Sequence, residues 1–134
     1  MAKDNAIKAL KNNVVAVIRI KNNNIARLVT EELIKSGFNF IELTLSIDNA
    51  IGLIRELKEK YKDTFIGAGT ILTLEDCKRV INASADFVVS PCINEEVINI
   101  CNECDILCLP GAATPTEINT CYNLGAKIVK VFPG

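Results

Sequence analysis

Two charged side chains inside apolar strand-like runs are the residues most able to do chemistry. Lys130 is the one charged residue in the apolar run 128–132, and Glu42 lies in the run 40–45. Because Lys and Glu are rarely buried without a partner, the two either form a structural ion pair or share a reactive site. In a reactive site, the neutral amine of Lys130 would attack a carbonyl carbon and form an imine.

Imine formation requires a lysine whose pKa lies well below its ordinary value of ~10.4. Burial lowers a lysine pKa by up to ~3–5 units, because the charged form loses its hydration. A nearby Glu42 carboxylate opposes that change, so desolvation or the positive charge of Arg19 has to outweigh it. The reactivity of Lys130 therefore depends on the balance between burial and neighbouring charge.

The composition excludes several other catalytic chemistries. The sequence contains 0 His, which rules out Ser-His-Asp and Cys-His triads and every His-based metal site. Cys101 and Cys104 have zinc-like spacing, and Cys108 and Cys121 could complete four ligands, but an apolar helix stripe and a strand interior also explain the first three. Cys92, at a strand end, either lines the mouth of a pocket or fills an ordinary apolar position. We expect free thiols and no metal site.

Charge and hydropathy limit the possible partners. The formal net charge is −1 and the basic residues are scattered, so no basic patch favours nucleic acid or an anionic membrane. No apolar stretch approaches the ~20 residues of a spanning helix, and the first residues lack the apolar core of a signal peptide. We therefore expect a cytoplasmic protein that binds a small neutral or anionic molecule.

Short β-branched runs alternate with longer amphipathic stretches, which is typical of βα units around a parallel sheet. Strands are expected to begin near Val14, Phe40, Thr64, Asp86, Asp105 and Lys127. The helix expected after Ser46 has its apolar face on Ile47, Ala50, Ile51, Ile54 and Leu57. Thr73 and Thr114 begin capping-box motifs, and Gly37 and Gly125 lie where left-handed helix caps are expected. Without a linker, residues 1–134 should be one domain.

This alternation fits either a doubly wound sheet or part of a (βα)8 barrel. A doubly wound dinucleotide-binding fold favours a glycine-rich turn after the first strand, but residues 19–24 contain no glycine. Gly67 and Gly69 begin such a fingerprint, yet Leu72 occupies its third glycine position, which disfavours a dinucleotide site. The prediction is an α/β fold of the (βα)8 TIM-barrel type, with about six βα units in this chain.

In a barrel, alternate strand residues face the interior, and catalytic groups collect at the C-terminal strand ends. This alternation directs Arg19, Glu42, Thr70 and Lys130 toward one cavity. Thr70 could also be an ordinary strand residue, and Arg19 a surface charge. The same rule places Val15, Val17, Phe40, Thr44, Ala68, Ile128 and Phe132 inside, and leaves Val129 and Val131 to pack against helices.

Several short segments distributed over nearly the whole chain carry a resemblance to a known family. They are VVAVIR (14–19), IELTL (41–45), GAGT (67–70), VVSP (88–91), LPG (109–111), TPTE (114–117) and VKVFPG (129–134). As a set they resemble the 2-keto-3-deoxy-6-phosphogluconate (KDPG) aldolase family. That family also includes 4-hydroxy-2-oxoglutarate (KHG) aldolases and phosphogalactonate-specific relatives.

The resemblance implies a class I (Schiff-base) aldolase with a (βα)8 barrel, usually a homotrimer, that needs no metal or other cofactor. By position, Lys130 matches the imine-forming lysine, and Glu42 matches the carboxyl group that acts as acid and base. Thr70 and the Pro91 turn match the pyruvate pocket, and Phe132 matches its apolar wall.

Recognition of the substrate carboxylate departs from the family pattern. Many relatives have an arginine two residues after the Thr of the Glu-x-Thr motif, where this chain has Ser46 after Thr44. Arg19, a position that some relatives also fill with arginine, could supply the charge instead. Arg19, Thr44 and Ser46 therefore join the expected substrate-binding residues.

The implied reaction is cleavage of KDPG to pyruvate and glyceraldehyde 3-phosphate, of 4-hydroxy-2-oxoglutarate to pyruvate and glyoxylate, or of both. The family's phosphate site lies on its seventh and eighth strands, so a chain complete at Gly134 is expected to lack two βα units and that site. Two alternatives stay open. One is a weak or inactive fragment that binds a 2-keto acid or serves only in assembly. The other is a barrel isomerase or epimerase in which Glu42 is a base and Lys130 has no covalent role.

Overall fold

The computed structural model describes residues 2–134, in which strands and helices alternate as predicted. The helices are α1 (Ala2–Leu10), α2 (Asn23–Lys35), α3 (Ala50–Lys60), α4 (Leu74–Asn82), α5 (Glu95–Glu103) and α6 (Pro115–Asn123). The strands are β1 (Val15–Ile18), β2 (Phe40–Thr44), β3 (Phe65–Gly69), β4 (Phe87–Val89), β5 (Leu107–Leu109), β6 (Gly111–Ala112) and β7 (Lys130–Val131). Each predicted strand start lies at or shortly before an observed one. Helix α1 was not predicted.

All the strand pairs are parallel and follow the order of the chain. Strands β1 to β5 form one sheet, and β6 pairs with β7. Only Pro110 separates β5 from β6, and the amide of Lys130 donates a hydrogen bond to the Pro110 carbonyl at 2.9 Å. Strand β7 therefore continues the parallel order as the predicted sixth strand, although it contains only Lys130 and Val131.

The distribution of the helices distinguishes a barrel from a doubly wound sheet. Helices α2 to α5 connect successive strands and pack in one apolar cluster against the outward side chains, such as Ile41, Ile66 and Val88. A doubly wound sheet places its crossover helices on both faces, whereas a barrel places them on one. The inner face carries Phe40 and Phe87, and α1, which precedes the first strand, packs there. The fold is therefore of the barrel type.

The predicted helix ends are confirmed. Thr114 accepts a hydrogen bond from the backbone of Glu117, whose side chain bonds back to the Thr114 amide, which completes a capping box. Thr73 accepts from the amide of Asp76 in the same way, without the return bond. Gly37 and Gly125 have φ of 96° and 91°, a left-handed conformation that glycine adopts at little cost.

The predicted inward position of Ala68 is wrong. Ala68 pairs with Leu43 and belongs to the outer apolar cluster, whereas Gly67 and Gly69 lie in register with Glu42 and Thr44 on the inner face. The prediction extended the alternation back from Thr70, but Thr70 lies beyond the end of β3 and has φ of 60°. Strand alternation does not apply across such a turn.

Two predictions of burial are also wrong. Val129 packs against the cluster that contains Cys121 and Ala126, as expected, but Val131 is 62% exposed. Cys104 follows the last residue of α5 as its C-cap and is exposed, although Cys101 is buried. The apolar stripe of α5 therefore ends before Cys104.

The described residues, 2–134, contain no helix long and apolar enough to cross a membrane. They also contain no group of three or more His, Cys, Asp or Glu side chains arranged to hold a metal ion. The thiols of Cys77 and Cys101 lie 3.6 Å apart in the outer cluster. The hydrogen bond to Cys101, and then burial, raises the pKa of Cys77. A hydrogen bond to Cys108, and then burial, raises the pKa of Cys101.

Candidate active site

The predicted site residues lie at one edge of the sheet, because the strands are parallel and their carboxyl ends face the same way. Arg19 directly follows β1, Thr70 follows β3 and Phe132 follows β7. Ser46 and Pro91 each lie two residues beyond β2 and β4. Arg19, Ser46 and Thr70 are exposed, and Pro91 is half-buried. In α/β barrels this edge carries the functional groups.

Glu42 and Lys130 line the same cavity in the inner face, which has a volume of about 210 Å³. Its other lining residues are apolar: Leu10, Val15, Val17, Phe40, Phe87, Val89 and Leu109. The predicted inward direction of Val15, Val17, Phe40, Glu42 and Lys130 is thereby confirmed. Arg19 and Thr70, which were predicted to face the cavity too, are not among its lining residues.

Burial has the largest effect on the pKa of Glu42, whose side chain belongs to a residue that is only 4% exposed. Loss of hydration raises the pKa of Glu42 above its usual value, and the positive charges of Lys130 and Arg19 partly oppose this rise. Within residues 2–134, no hydrogen bond or salt bridge to the Glu42 carboxyl group occurs. The cavity therefore favours a protonated Glu42 more than water does.

A structural ion pair between Glu42 and Lys130, the alternative that the sequence left open, is not formed. No nitrogen–oxygen distance of 4.0 Å or less joins them among the described salt bridges. The Lys130 amine instead lies 5.0 Å from the centroid of the Phe132 ring. The two charged groups therefore line the same cavity without forming a salt bridge.

The hydroxyl groups near the end of β2 are used within the protein. Thr44 is fully buried and donates to the Ile18 carbonyl at 3.2 Å, and its oxygen lies 2.7 Å from the Ser46 hydroxyl oxygen. Since the Thr44 proton is engaged, Ser46 donates to Thr44. Arg19 makes no hydrogen bond or ion pair within residues 2–134. At this edge, Arg19 is therefore a cationic group that is available to an anion.

The turn at Pro91 lies against β6. A Cβ atom placed on Gly111 would overlap the Pro91 carbonyl oxygen and lie 3.0 Å from the Cys92 nitrogen. Gly111 is therefore required for the close approach of the two segments. Cys92 is exposed and does not line the cavity. The cavity therefore does not support its predicted position at the pocket mouth.

Sequence reasoning missed Leu10 and Gly69 as parts of this site. Leu10 comes from α1, whose polar and apolar residues gave no recognised signal, and Gly69 has no side chain to attract attention. If the inner face of β3 had been assigned from its pairing with β2, Gly69 would have been placed there, because Gly69 pairs with Thr44. Its importance lies in the space that it leaves for Glu42, since a Cβ atom there would overlap the Glu42 carboxylate.

The strand order, the single layer of crossover helices and the interior lysine and glutamate define part of a βα barrel with a polar pair in its cavity. The chain belongs to the KDPG and KHG aldolase family, whose model matches residues 4–134.

Two curated relatives illustrate the likeness. The chain is 32% identical over 120 residues to 2-dehydro-3-deoxy-phosphogluconate aldolase of Haemophilus influenzae, covering 90% of this chain and 57% of the relative. It is 31% identical over 120 residues to the KHG/KDPG aldolase of Escherichia coli K12, covering 90% and 56%. The chain thus spans little more than half the length of these relatives.

Solved structures show the same similarity in three dimensions. A KDPG aldolase from Legionella pneumophila, with pyruvate captured as a covalent carbinolamine, aligns with a TM-score of 0.82 and 31% identity over 89% of this chain and 58% of that one. The Vibrio cholerae 3-keto-L-gulonate-6-phosphate decarboxylase aligns with a TM-score of 0.73 at 12% identity over 87% of this chain and 60% of that one, which is a likeness of fold alone.

Proposed function

We propose that residues 1–134 form a single, partial barrel domain of a class I aldolase that cleaves a 2-keto acid. The substrate is KDPG, which gives pyruvate and glyceraldehyde 3-phosphate, or 4-hydroxy-2-oxoglutarate, which gives pyruvate and glyoxylate. The observation that carries the proposal is the shared cavity of Lys130 and Glu42. The names of the relatives and the covalent pyruvate adduct of the Legionella protein support it.

The first stage joins the substrate to the protein. The neutral amine of Lys130 attacks the C2 carbonyl carbon, and the resulting carbinolamine loses water to give a protonated imine. Glu42 delivers a proton to the departing hydroxyl group. Its raised pKa suits this role, because a carboxyl group that retains its proton nearer neutral pH is a more effective donor there.

The second stage breaks the C3–C4 bond. Glu42, now a carboxylate, removes the proton of the C4 hydroxyl group through a water molecule, and the bonding electrons flow into the imine. The aldehyde leaves, and an enamine of pyruvate stays on Lys130. Protonation at C3 and hydrolysis of the imine then release pyruvate and restore the amine.

Arg19 is proposed to bind the substrate carboxylate, with Thr44, Ser46, Thr70, Pro91 and Phe132 completing the pyruvate pocket. Arg19→Ala is expected to raise the pyruvate concentration that half-saturates imine formation by about 10–100-fold, the usual loss for a charged hydrogen bond. Because Arg19 lowers the pKa of Glu42, the variant should also shift the acid limb of the pH–rate profile upward.

Titration of imine trapping against pyruvate concentration measures the first effect of this substitution. Arg55→Ala is the matched control, since Arg55 is exposed on α3, on the outer face of the barrel. An unchanged half-saturating concentration in Arg19→Ala would assign carboxylate binding to another group.

The proposed function is tested by pyruvate release. KDPG and 4-hydroxy-2-oxoglutarate are supplied separately to the purified protein, and pyruvate is detected through lactate dehydrogenase and NADH. We expect release from at least one substrate, and none above background from Lys130→Ala. Pyruvate binding without cleavage would instead support a binding or assembly fragment, and turnover that survives Lys130→Ala would support a non-covalent barrel enzyme.

We further propose that the protein acts in the cytoplasm as a homotrimer, as the family resemblance implies. Light scattering coupled to size-exclusion chromatography measures the mass directly. A particle of three copies is expected, and a stable monomer at micromolar concentration would contradict the trimer.

A further inference from the structure

We infer that Gly69 is a positioning residue for Glu42: the absence of a side chain at Gly69 creates the space in which the Glu42 carboxylate lies. This inference rests on the proposed aldolase function, in which Glu42 transfers protons. It adds a residue that touches neither the substrate nor the reacting atoms and acts only through Glu42.

The geometry around Gly69 is specific to Glu42. A Cβ atom placed on Gly69 would overlap Oε1 of Glu42, and would lie 2.7 Å from its Cδ and 2.8 Å from its Cγ. These are the three nearest heavy atoms, and all belong to the Glu42 side chain. Any side chain at position 69 therefore competes with the carboxyl group for the same volume.

The backbone gives no other reason for glycine at this position. The described glycines with positive φ are Gly37 and Gly125, and Gly69 is not among them. Its backbone lies in β3, in regular register with β2. Alanine can adopt this conformation without strain, so the backbone conformation does not require glycine at position 69.

Packing is also the main constraint on the Glu42 carboxyl group. No hydrogen bond or salt bridge within residues 2–134 holds it. Since a flexible side chain without such bonds can rotate, an alanine methyl group at position 69 should displace the carboxyl group rather than the backbone. A displaced carboxyl group is also less desolvated, so the pKa of Glu42 should fall toward its ordinary value.

Gly67 provides the matched control on the same strand and the same face. A Cβ atom there would meet the Phe87 ring, at 2.6 Å from its Cγ, and this ring is 1% exposed in the core. A buried ring cannot move aside as a carboxyl group can. Gly67→Ala should therefore lower the thermal midpoint of unfolding without displacing Glu42.

The first readout for Gly69→Ala is the exchange of pyruvate methyl protons for deuterium in D2O, followed by proton NMR. This exchange needs the Lys130 imine and a base, and it does not need the far end of the aldol substrate. We expect Gly69→Ala to exchange about 100-fold more slowly, within the range of lost acid–base catalysis. Its thermal midpoint should stay near that of the unchanged protein.

The second readout is a double-mutant cycle. If Gly69 acts only through the Glu42 carboxyl group, Gly69→Ala should slow exchange in the unchanged protein but should have little further effect in Glu42→Gln, which has already lost that carboxyl group. This non-additivity is expected of two positions that act through one group, and a merely structural effect of Gly69→Ala would slow exchange in both backgrounds.

The third readout does not depend on activity. In a carbon-13 NMR titration, the Glu42 carboxyl group should have a raised pKa in the unchanged protein, and Gly69→Ala should lower that pKa. An unchanged Glu42 pKa together with an unchanged exchange rate in Gly69→Ala would overturn the inference. If the unchanged protein neither exchanges nor traps pyruvate, the proposed function fails, and the titration alone still decides whether Gly69 positions Glu42.

Discussion

Replacement of Lys130 by alanine is expected to abolish both pyruvate exchange and aldol cleavage, with a loss of at least about 10⁴-fold. The variant loses the nucleophile itself, and removal of a covalent nucleophile is among the most costly changes in enzymes of this kind. Lys130→Arg should fail equally, because a guanidinium group retains its proton and cannot attack a carbonyl carbon. The rate of deuterium entry into pyruvate measures both losses.

Lys127→Ala is the control for Lys130→Ala, since Lys127 is exposed three residues earlier in the same segment. It should retain the full exchange rate. If Lys130→Arg kept substantial activity, the side chain would contribute only positive charge, and the covalent mechanism would be wrong.

Replacement of Glu42 by glutamine is expected to slow exchange by about 10²–10⁴-fold, because glutamine cannot give or take a proton. Imine formation on Lys130 should still occur, but more slowly, so borohydride trapping should reach completion after long incubation. Glu59→Gln, an exposed change on α3, should leave both rates unaltered. If Glu42→Gln exchanged pyruvate protons as fast as the unchanged protein, a group other than Glu42 would have to transfer the protons.

The same substitution should stabilise the fold at neutral pH. The folded-state pKa of Glu42 is raised above the unfolded value, so the folded protein binds more protons in the interval between the two, and stability falls as the pH rises through the folded pKa. Each pKa unit corresponds to ~1.4 kcal/mol. Glu42→Gln should therefore melt a few degrees higher at neutral pH, and this advantage should disappear toward pH 4 as Glu42 becomes protonated. Thermal unfolding at several pH values measures it.

The sequence predicted the strand positions well because each strand is a short apolar run between polar helices. It also identified Glu42 and Lys130, since a charge inside such a run has few explanations. The two were expected either to pair or to share a site, and the cavity that both line without a salt bridge supports the second expectation. The local pattern of apolar and charged residues was therefore sufficient to place side chains wherever the strands are regular.

Prediction failed where strand geometry ended. Thr70 has φ of 60°, a conformation that no alternation rule anticipates, and so the inward face of β3 was assigned to Ala68 instead of the two flanking glycines. Arg19 lies one residue beyond β1 and acts on Glu42 through its charge rather than by lining the cavity. The role of Gly69 depends on a contact between neighbouring strands, which only the paired structure contains.

The most direct test of the Schiff-base mechanism is to locate the covalent bond between pyruvate and the protein. The protein is incubated with carbon-13-labelled pyruvate and sodium borohydride, digested, and examined by peptide mass spectrometry. The Schiff-base mechanism predicts one reduced pyruvyl group, on the peptide that contains Lys130, and its absence after Lys130→Ala. A modified lysine elsewhere, or an unmodified Lys130 peptide from protein that binds pyruvate, would contradict the Schiff-base mechanism.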